Sequence, residues 1–263
     1  MNEVNKTLYI TLYGKSWVSK KGIILNDPTA EMIWEKEGFQ LKGKSKSKWL
    51  AYYMAMRSAV FDNWVKDKIA ENNQSVIIHL GCGMDSRINR IANHNNMWYD
   101  VDFADVIDER RKYYRETDTY KMLKADVRQT EWLNNIPKNK NAIIIMEGIS
   151  MYLNPTEIKT LLDSITKYFE KANLLVDCYT EFSAKASKYK NPINDVGVTQ
   201  VTGYDNLCQL AEETGFTTVQ EHSMTPDHMV NQLEGFEKFF FKTVFCGFAG
   251  KNMYKLFEFV YKK

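Results

Sequence analysis

The stretch Val76-Ile77-Ile78-His79-Leu80-Gly81-Cys82-Gly83-Met84-Asp85-Ser86-Arg87 decides the architecture. An apolar run breaks at two glycines, and helical spacing then continues through Ile88 and Ile91, which reads as strand, glycine turn and helix. The alternation repeats downstream. Strands are expected over residues 97–102, 121–126, 142–146 and 174–178, and a helix from about 104 to 115. A second helix is capped by Asn154, carries Pro155 in its first turn and Glu157 three residues after the cap, and should run to about residue 171. Such repetition, with both faces covered, specifies a parallel sheet with right-handed crossovers. A helix over about 204–214, ended by Gly215, and strands over 217–222 and 254–261 bring the sheet to seven strands.

Upstream, residues 1–44 read as irregular or short-helical. In Asn26-Asp27-Pro28, Asp27 can cap a helix, Pro28 can take its first position and Glu31 can close a capping box. The basic run at Lys42, Lys44, Lys46 and Lys48 reads as a solvated approach to the next helix. Over residues 49–69, Trp49, Tyr53, Met56, Val60 and Trp64 recur at helical spacing and predict a long buried helix. The chain is therefore expected to be one domain over 1–263. A helical cover (1–72) precedes an α/β core (73–263), and two insertions, 179–202 and 223–243, follow strands five and six.

Composition narrows the function classes. Of 263 residues, 44% are hydrophobic, 26% charged and 13% aromatic, which excludes disorder as the main state. A net charge of +2 is too small to hold a nucleic acid by counterion release, so no nucleic-acid partner is expected. No apolar stretch is long enough to span a membrane, and MNEVNKTLYITLYGK lacks a leader pattern, so a cytoplasmic protein without a membrane partner is expected. Cys82, Cys178, Cys208 and Cys246 form no C-x-x-C pair and read as reduced thiols; His79, His94, His222 and His228 show no metal-ligand spacing, so no metal is expected.

The chemistry gathers at the ends of the strands. In an open α/β sheet a ligand lies outside the carboxyl ends, and Gly81 and Gly83 let the first turn approach it closely. Asp102, nineteen residues after Gly83 at the end of the second strand, can accept hydrogen bonds from both hydroxyls of a ribose, or can cap the following helix. Ser86 stands where a dinucleotide fingerprint needs its third glycine. Asp85 is an awkward neighbour for a pyrophosphate but suits an ammonium and a sulfonium, which favours S-adenosylmethionine over NAD. Asp126 ends the third strand, where it can read an adenine edge or make a turn, and Glu147-Gly148 places an acid at the centre of the cleft. Arg57 interrupts the apolar row Leu50, Met54, Phe61, Val65 and needs an anionic partner. That partner is either a ligand carboxylate or an internal acid such as Asp85 or Glu147.

Taken in order, TLYITLYGKS, ILNDPTAEMI, AYYMAMRSAVFDNWV, VIIHLGCGMDSR, WYDVDFADVIDERRKYY, LKADVRQTEWL and IIIMEGISMYLNPTEI resemble the leucine carboxyl methyltransferase family. Within it they resemble the bacterial polyketide O-methyltransferases of the tetracenomycin type. The resemblance covers roughly residues 7–160 well. It implies a Rossmann-like class I methyltransferase fold and S-adenosylmethionine as cofactor, with S-adenosylhomocysteine as product. By matching motif it implies that Arg57 holds the methionine carboxylate and that Gly81 and Gly83 line the methionine part. It further implies that Asp102 binds the ribose, that Asp126 and Val127 frame the adenine, and that Glu147 lies beside the methionine amine.

The expected reaction is methyl transfer to a hydroxyl or carboxylate oxygen of a small, ring-containing acceptor. Positioning supplies most of the effect in such a displacement, and a carboxylate acceptor needs no base. A phenol or alcohol can use one, with Glu147, Tyr152 and Tyr179 as candidates; none is assigned as catalytic. The aromatic residues Tyr179, Phe182, Tyr189, Phe236, Phe239, Phe240 and Phe241 suit an apolar acceptor site under the insertions, although the Phe run also suits the flank of the sheet. A sensor that binds S-adenosylmethionine without turnover, a methyltransferase acting on a protein carboxylate, and a nicotinamide oxidoreductase are the competing readings.

Overall fold

A computed structural model describes residues 7–39, 41, 43–91, 95–138, 141–187, 201–247, 250 and 252–263. Its centre is a seven-stranded sheet: β1 (Val76–Leu80), β2 (Trp98–Asp102), β3 (Tyr120–Lys124), β4 (Asn141–Met146), β5 (Lys171–Tyr179), β6 (Thr217–Glu221) and β7 (Tyr254–Lys262). The order across the sheet is β3-β2-β1-β4-β5-β7-β6. The first five strands are parallel, while β7 runs antiparallel between β5 and β6. This is the expected mostly parallel, Rossmann-like α/β sheet.

The apolar strands supply two cores because side chains alternate across a sheet. Ile77, Ile143, Ile145 and Leu175 face one side; there they meet α1 (Leu8–Lys20), α3 (Lys48–Glu71), α5 (Ala104–Arg110) and α10 (Gly235–Val244). Ile78, Leu80, Ile144 and Leu174 face the other and meet α6 (Pro155–Tyr168) and α8 (Leu207–Glu212). Burying both faces explains why β1 and β4 read as unbroken apolar runs.

Several elements differ from the sequence reading. The first 44 residues contain two full helices, α1 and α2 (Pro28–Glu37), because α1 packs its buried Leu8, Leu12 and Val18 against α3. Asp27 caps α2 by accepting from Ala30 N at 2.9 Å, whereas Glu31 takes a hydrogen bond from Ser19 in place of closing a capping box. The box expected at Asn154 and Glu157 is present. The helix after it stops at Tyr168 and β5 starts at Lys171, because Lys171-Ala172-Asn173 pair with β4 on one side and β7 on the other; pairing outweighs weak local preference. The helix after β2 is likewise shorter than expected, ending at Arg110.

The first insertion starts with α7 (Glu181–Ala186); residues 188–200, Tyr189 among them, lie outside the described residues. The second carries α9 (Asp227–Val230) and α10. A short α4 (Arg87–Ile91) follows the glycine turn.

Candidate active site

A cavity of about 600 Å³ opens at the carboxyl edge of the parallel strands. Its wall contains Arg57, Gly81, Gly83, Asp102, Asp126, Val127 and Glu147, so the residues singled out in the sequence meet in one place.

The first turn is built to be bare and rigid. Gly81 and Gly83 have φ of +64° and +51°, conformations that strain other residues, and a Cβ on Gly81 would overlap Ile149 Cγ2. Arg110, fully buried, donates to the carbonyls of Gly83 and Asp85 at 3.0 and 2.6 Å and pairs with Asp100. Tyr114 OH donates to Met84 O at 3.2 Å. The turn is thus held from behind, leaving its front to the cavity.

Asp102 faces this turn. Its Oδ2 accepts from Gly83 N at 2.7 Å and its Oδ1 from Phe103 N at 2.8 Å. Phe103, not Asp102, is the cap residue of α5, and no side chain caps that helix. Burial pushes the Asp102 carboxyl up to about 6 against the pull of the two N–H groups. Asp126 makes an Asx turn, its Oδ1 accepting from Arg128 N at 3.0 Å while the Arg128 guanidinium pairs with the same carboxylate. The turn role is therefore present, with the carboxylate still lining the cavity beside Val127.

Arg57, 4% exposed, has internal partners. Its Nε donates to Glu147 Oε1 at 3.0 Å, and its Nη1 donates to Asp177 Oδ2 and to Tyr254 Oη, both at 3.0 Å. Of the two internal acids expected for it, Glu147 is the partner and Asp85 is not; Asp85 is instead engaged by Lys15 Nζ and Arg90 Nη2, each at 2.9 Å. Arg57 Nη2 looks toward Gly148, where a Cβ would come within 3.3 Å of it. Glu147 also accepts from Arg87 and from Ser58 Oγ; burial alone would raise its pKa, but Arg87 and Arg57 hold it down at about 2. Burial raises the Asp177 carboxyl from its ordinary value despite Arg57.

Ser86, at the missing third glycine, donates to Asp27 at 2.5 Å and so links the turn to the cap of α2. His79 is buried with its Nε2 3.2 Å from Arg87 Nη1, and burial lowers its pKa. Among the described residues no group of His, Cys, Asp or Glu is arranged to hold a metal ion.

Sequence reasoning missed Lys15, Arg110, Asp177 and Tyr254. Lys15 carried the same signal as Arg57, a cation on the buried row Leu8, Leu12, Val18 of a helix. Asp177 is an acid inside the apolar strand segment Leu174-Leu175-Val176, a signal equally visible. Tyr254 had none, since its place depends on how β7 inserts. The Phe run proves to be flank: Phe241 is buried in the core, Phe240 packs on Trp49 at 4.4 Å, and Phe182, Phe236 and Phe239 are exposed, none of them lining the cavity. The aromatic wall consists instead of Tyr53, Phe103, Tyr152, Tyr179, Phe245 and Tyr254.

The sequence profile of leucine carboxyl methyltransferases matches residues 11–166. The chain is 27% identical over 205 residues to the tetracenomycin polyketide synthesis O-methyltransferase TcmP of Streptomyces glaucescens, covering 77% of this chain and 76% of that one. It is 28% identical over 224 residues to the S-adenosyl-L-methionine-dependent methyltransferase dpfgK of Gibberella zeae, covering 76% and 74%. Among solved structures, the magnesium protoporphyrin IX methyltransferase of Synechocystis with bound S-adenosylhomocysteine shares the fold. Its TM-score is 0.54 at 10% identity, over 95% of this chain and 100% of that one.

Proposed function

Because this chain belongs to the leucine carboxyl methyltransferase family and is accordingly an S-adenosylmethionine-dependent methyltransferase, we propose that it methylates an oxygen of a small, ring-containing molecule. The observation that carries the reading is the convergence of the bare Gly81–Gly83 turn, the Asp102 carboxylate and the Arg57–Glu147 pair on one cavity. A cavity of about 600 Å³ suits a cofactor and a small acceptor better than a folded protein substrate.

In this reading Asp102 accepts both ribose hydroxyls, and Asp126 with Val127 frames the adenine. Gly81 and Gly83 give the methionine part room. Arg57 turns Nη2 to the cofactor carboxylate while Glu147 sets a negative field beside the ammonium. The bound cofactor supplies an electrophilic methyl on a sulfonium. The chain's own part is to hold that methyl in line with an oxygen and keep water away. The N-terminal helices take part in this, since Leu8, Lys15 and Met54 line the cavity. We place residues 1–72 and 73–263 in a single catalytic domain on that basis.

Calorimetry tests the reading. S-adenosylhomocysteine should bind and NADH should not; heat from NADH alone would end it. A sensor is separated from an enzyme by product, because a sensor yields no S-adenosylhomocysteine.

A further inference from the structure

The proposed cofactor contacts account for the cavity wall from Asp126, after β3, to Glu147, after β4. The end left for an acceptor lies beside β5 and β7, where Tyr53, Tyr179, Phe245 and Tyr254 stand in the wall. Met253, the residue before β7, borders that end.

A second hollow, of about 630 Å³, begins at the same residue. The two spaces share Met253 and diverge from it because side chains alternate across a sheet. Tyr254 lines the first and Lys255 the second. Further along β7, Leu256 joins the core packed on α3, while Phe257 packs on the core beneath α6. At the end of β5, Tyr179 stands on the first side and Thr180 on the second. Met253 is thus the rim between them. Its carbonyl accepts from Thr180 N at 3.2 Å, which fixes the backbone, whereas its unbranched side chain is 44% exposed and can swing.

What the hollow offers a ligand is apolar. Phe182, Tyr204, Met253 and Phe257 form that surface. The polar groups among them are engaged within the chain. Thr180 Oγ1 accepts from Ser183 N at 3.3 Å, Asp205 Oδ1 accepts from Glu181 N at 3.0 Å, Tyr204 Oη donates to Leu153 O at 2.5 Å, and Lys255 Nζ pairs with Glu221 at 2.8 Å. Phe182, on α7, leaves 72% of its surface to water at the margin of this hollow. An apolar group seated there takes Phe182 and Met253 out of water and breaks none of those hydrogen bonds.

We propose that the hollow beyond Met253 is a second subsite for the acceptor, taking an apolar ring or chain joined flexibly to the ring that is methylated. The inference rests on the methyltransferase reading above and holds for either kind of acceptor oxygen. Continuity through Met253 makes the occupant the remote part of the acceptor, because a molecule reaching from one space to the other has to pass that rim.

Calorimetry with S-adenosylhomocysteine saturating tests this with two pairs of probes that differ only in a remote ring. These are 4-ethylphenol with 4-(2-phenylethyl)phenol, and 4-ethylbenzoate with 4-(2-phenylethyl)benzoate. In at least one pair the two-ring compound should bind the wild type about tenfold or more tighter than its partner, the worth of burying one ring's apolar surface. Met253→Trp, which fills the rim, and Phe182→Ser, which removes the apolar margin, should each shrink that gain by about threefold or more. Both variants should bind S-adenosylhomocysteine within about twofold of the wild type, as expected of exposed positions. If Met253→Trp fails to fold, Phe182→Ser decides alone. No gain in either pair, a gain that survives undiminished in a folded variant, or failure of both two-ring compounds to bind overturns the subsite and leaves the methyltransferase reading standing. A wild type that does not bind S-adenosylhomocysteine overturns that reading and the subsite with it.

Discussion

The backbone N–H of Gly83 donates to Asp102 Oδ2 across 2.7 Å, tying the first turn of the sheet to the end of its second strand. Turn and carboxylate are thereby fixed relative to each other at the edge of the cavity.

The ribose contact proposed for Asp102 predicts a cofactor affinity that depends on pH. Its carboxyl is raised to about 6, and only the ionised form can accept from two hydroxyls at once. Affinity for S-adenosylhomocysteine should fall as pH drops through 6, and Asp102→Asn should flatten that dependence. Asp102→Ala should weaken binding by about 1–3 kcal/mol at pH 8. The free protein shows the linked effect on stability. A folded pKa above the unfolded value means the native state holds more protons, so the Asp102 contribution is present below about pH 4 and is lost as pH rises to 6. Urea titrations at pH 4 and 7, compared between wild type and Asp102→Asn, measure it.

Arg57 holds two buried acids, and the cofactor contact proposed for it would be a second job that the same substitution exposes. Arg57→Ala leaves Asp177 buried without its cation and Glu147 with only Arg87, so stability should drop by about 3 kcal/mol at pH 8. The loss should shrink as pH falls, because the Asp177 carboxyl, already raised by burial, is raised further without its cation and sheds its charge sooner on acidification. Affinity for S-adenosylhomocysteine in the folded fraction should fall by about 1–3 kcal/mol as well. An unchanged affinity would leave Arg57 a purely structural ion pair.

Gly81→Ala and Gly22→Ala separate backbone strain from crowding. Both glycines have nearly the same φ, +64° and +66°, but a Cβ at Gly22 meets open space while one at Gly81 overlaps Ile149. Gly22→Ala should cost about 1 kcal/mol, and Gly81→Ala about 1–3 kcal/mol more through displaced packing. Chemical denaturation reads both. Similar values for the two would show that Ile149 moves aside freely.

Ser86→Ala and Asp27→Ala should also part company. Ser86→Ala removes one hydroxyl while Asp27 keeps Arg90 and Ala30 N, a loss of about 1 kcal/mol. Asp27→Ala removes the cap of α2 and leaves buried Arg90 with fewer partners, at about 2–4 kcal/mol. Faster proteolytic cleavage within residues 21–39 in Asp27→Ala, and not in Ser86→Ala, would confirm that Asp27 anchors α2.

Much of this was legible in the sequence because the parallel strands announce themselves. Val76 to Leu80 and Ala142 to Met146 are buried on both faces, and the glycine turn and Asp102 follow at fixed places in the βα unit. Arg57 was visible as a cation on an apolar row and Asp177 as an acid in an apolar strand, although their pairing was not, because nothing local joins the end of β5 to the middle of α3. The boundary of β5 and the site of Tyr254 depend on pairing between residues about 75 to 91 positions apart, which no periodicity records. The exposed Phe236 and Phe239 misled in the opposite direction, since an aromatic cluster in an insertion suggests a pocket while α10 turns those two rings outward.

β7 comes later in the chain than both strands it separates. During synthesis β5 and β6 leave the ribosome as neighbours in sequence yet have nothing to hydrogen-bond between them until residues 254–262 arrive. Until then β5 shows a long apolar edge capable of pairing with another chain. A nascent polypeptide stopped short of residue 254 should therefore be an aggregation-prone species and not a smaller working enzyme. The tyrosine that completes the cavity wall is delivered by the same strand that seals this edge, so a covered edge and a finished cavity arrive in one event.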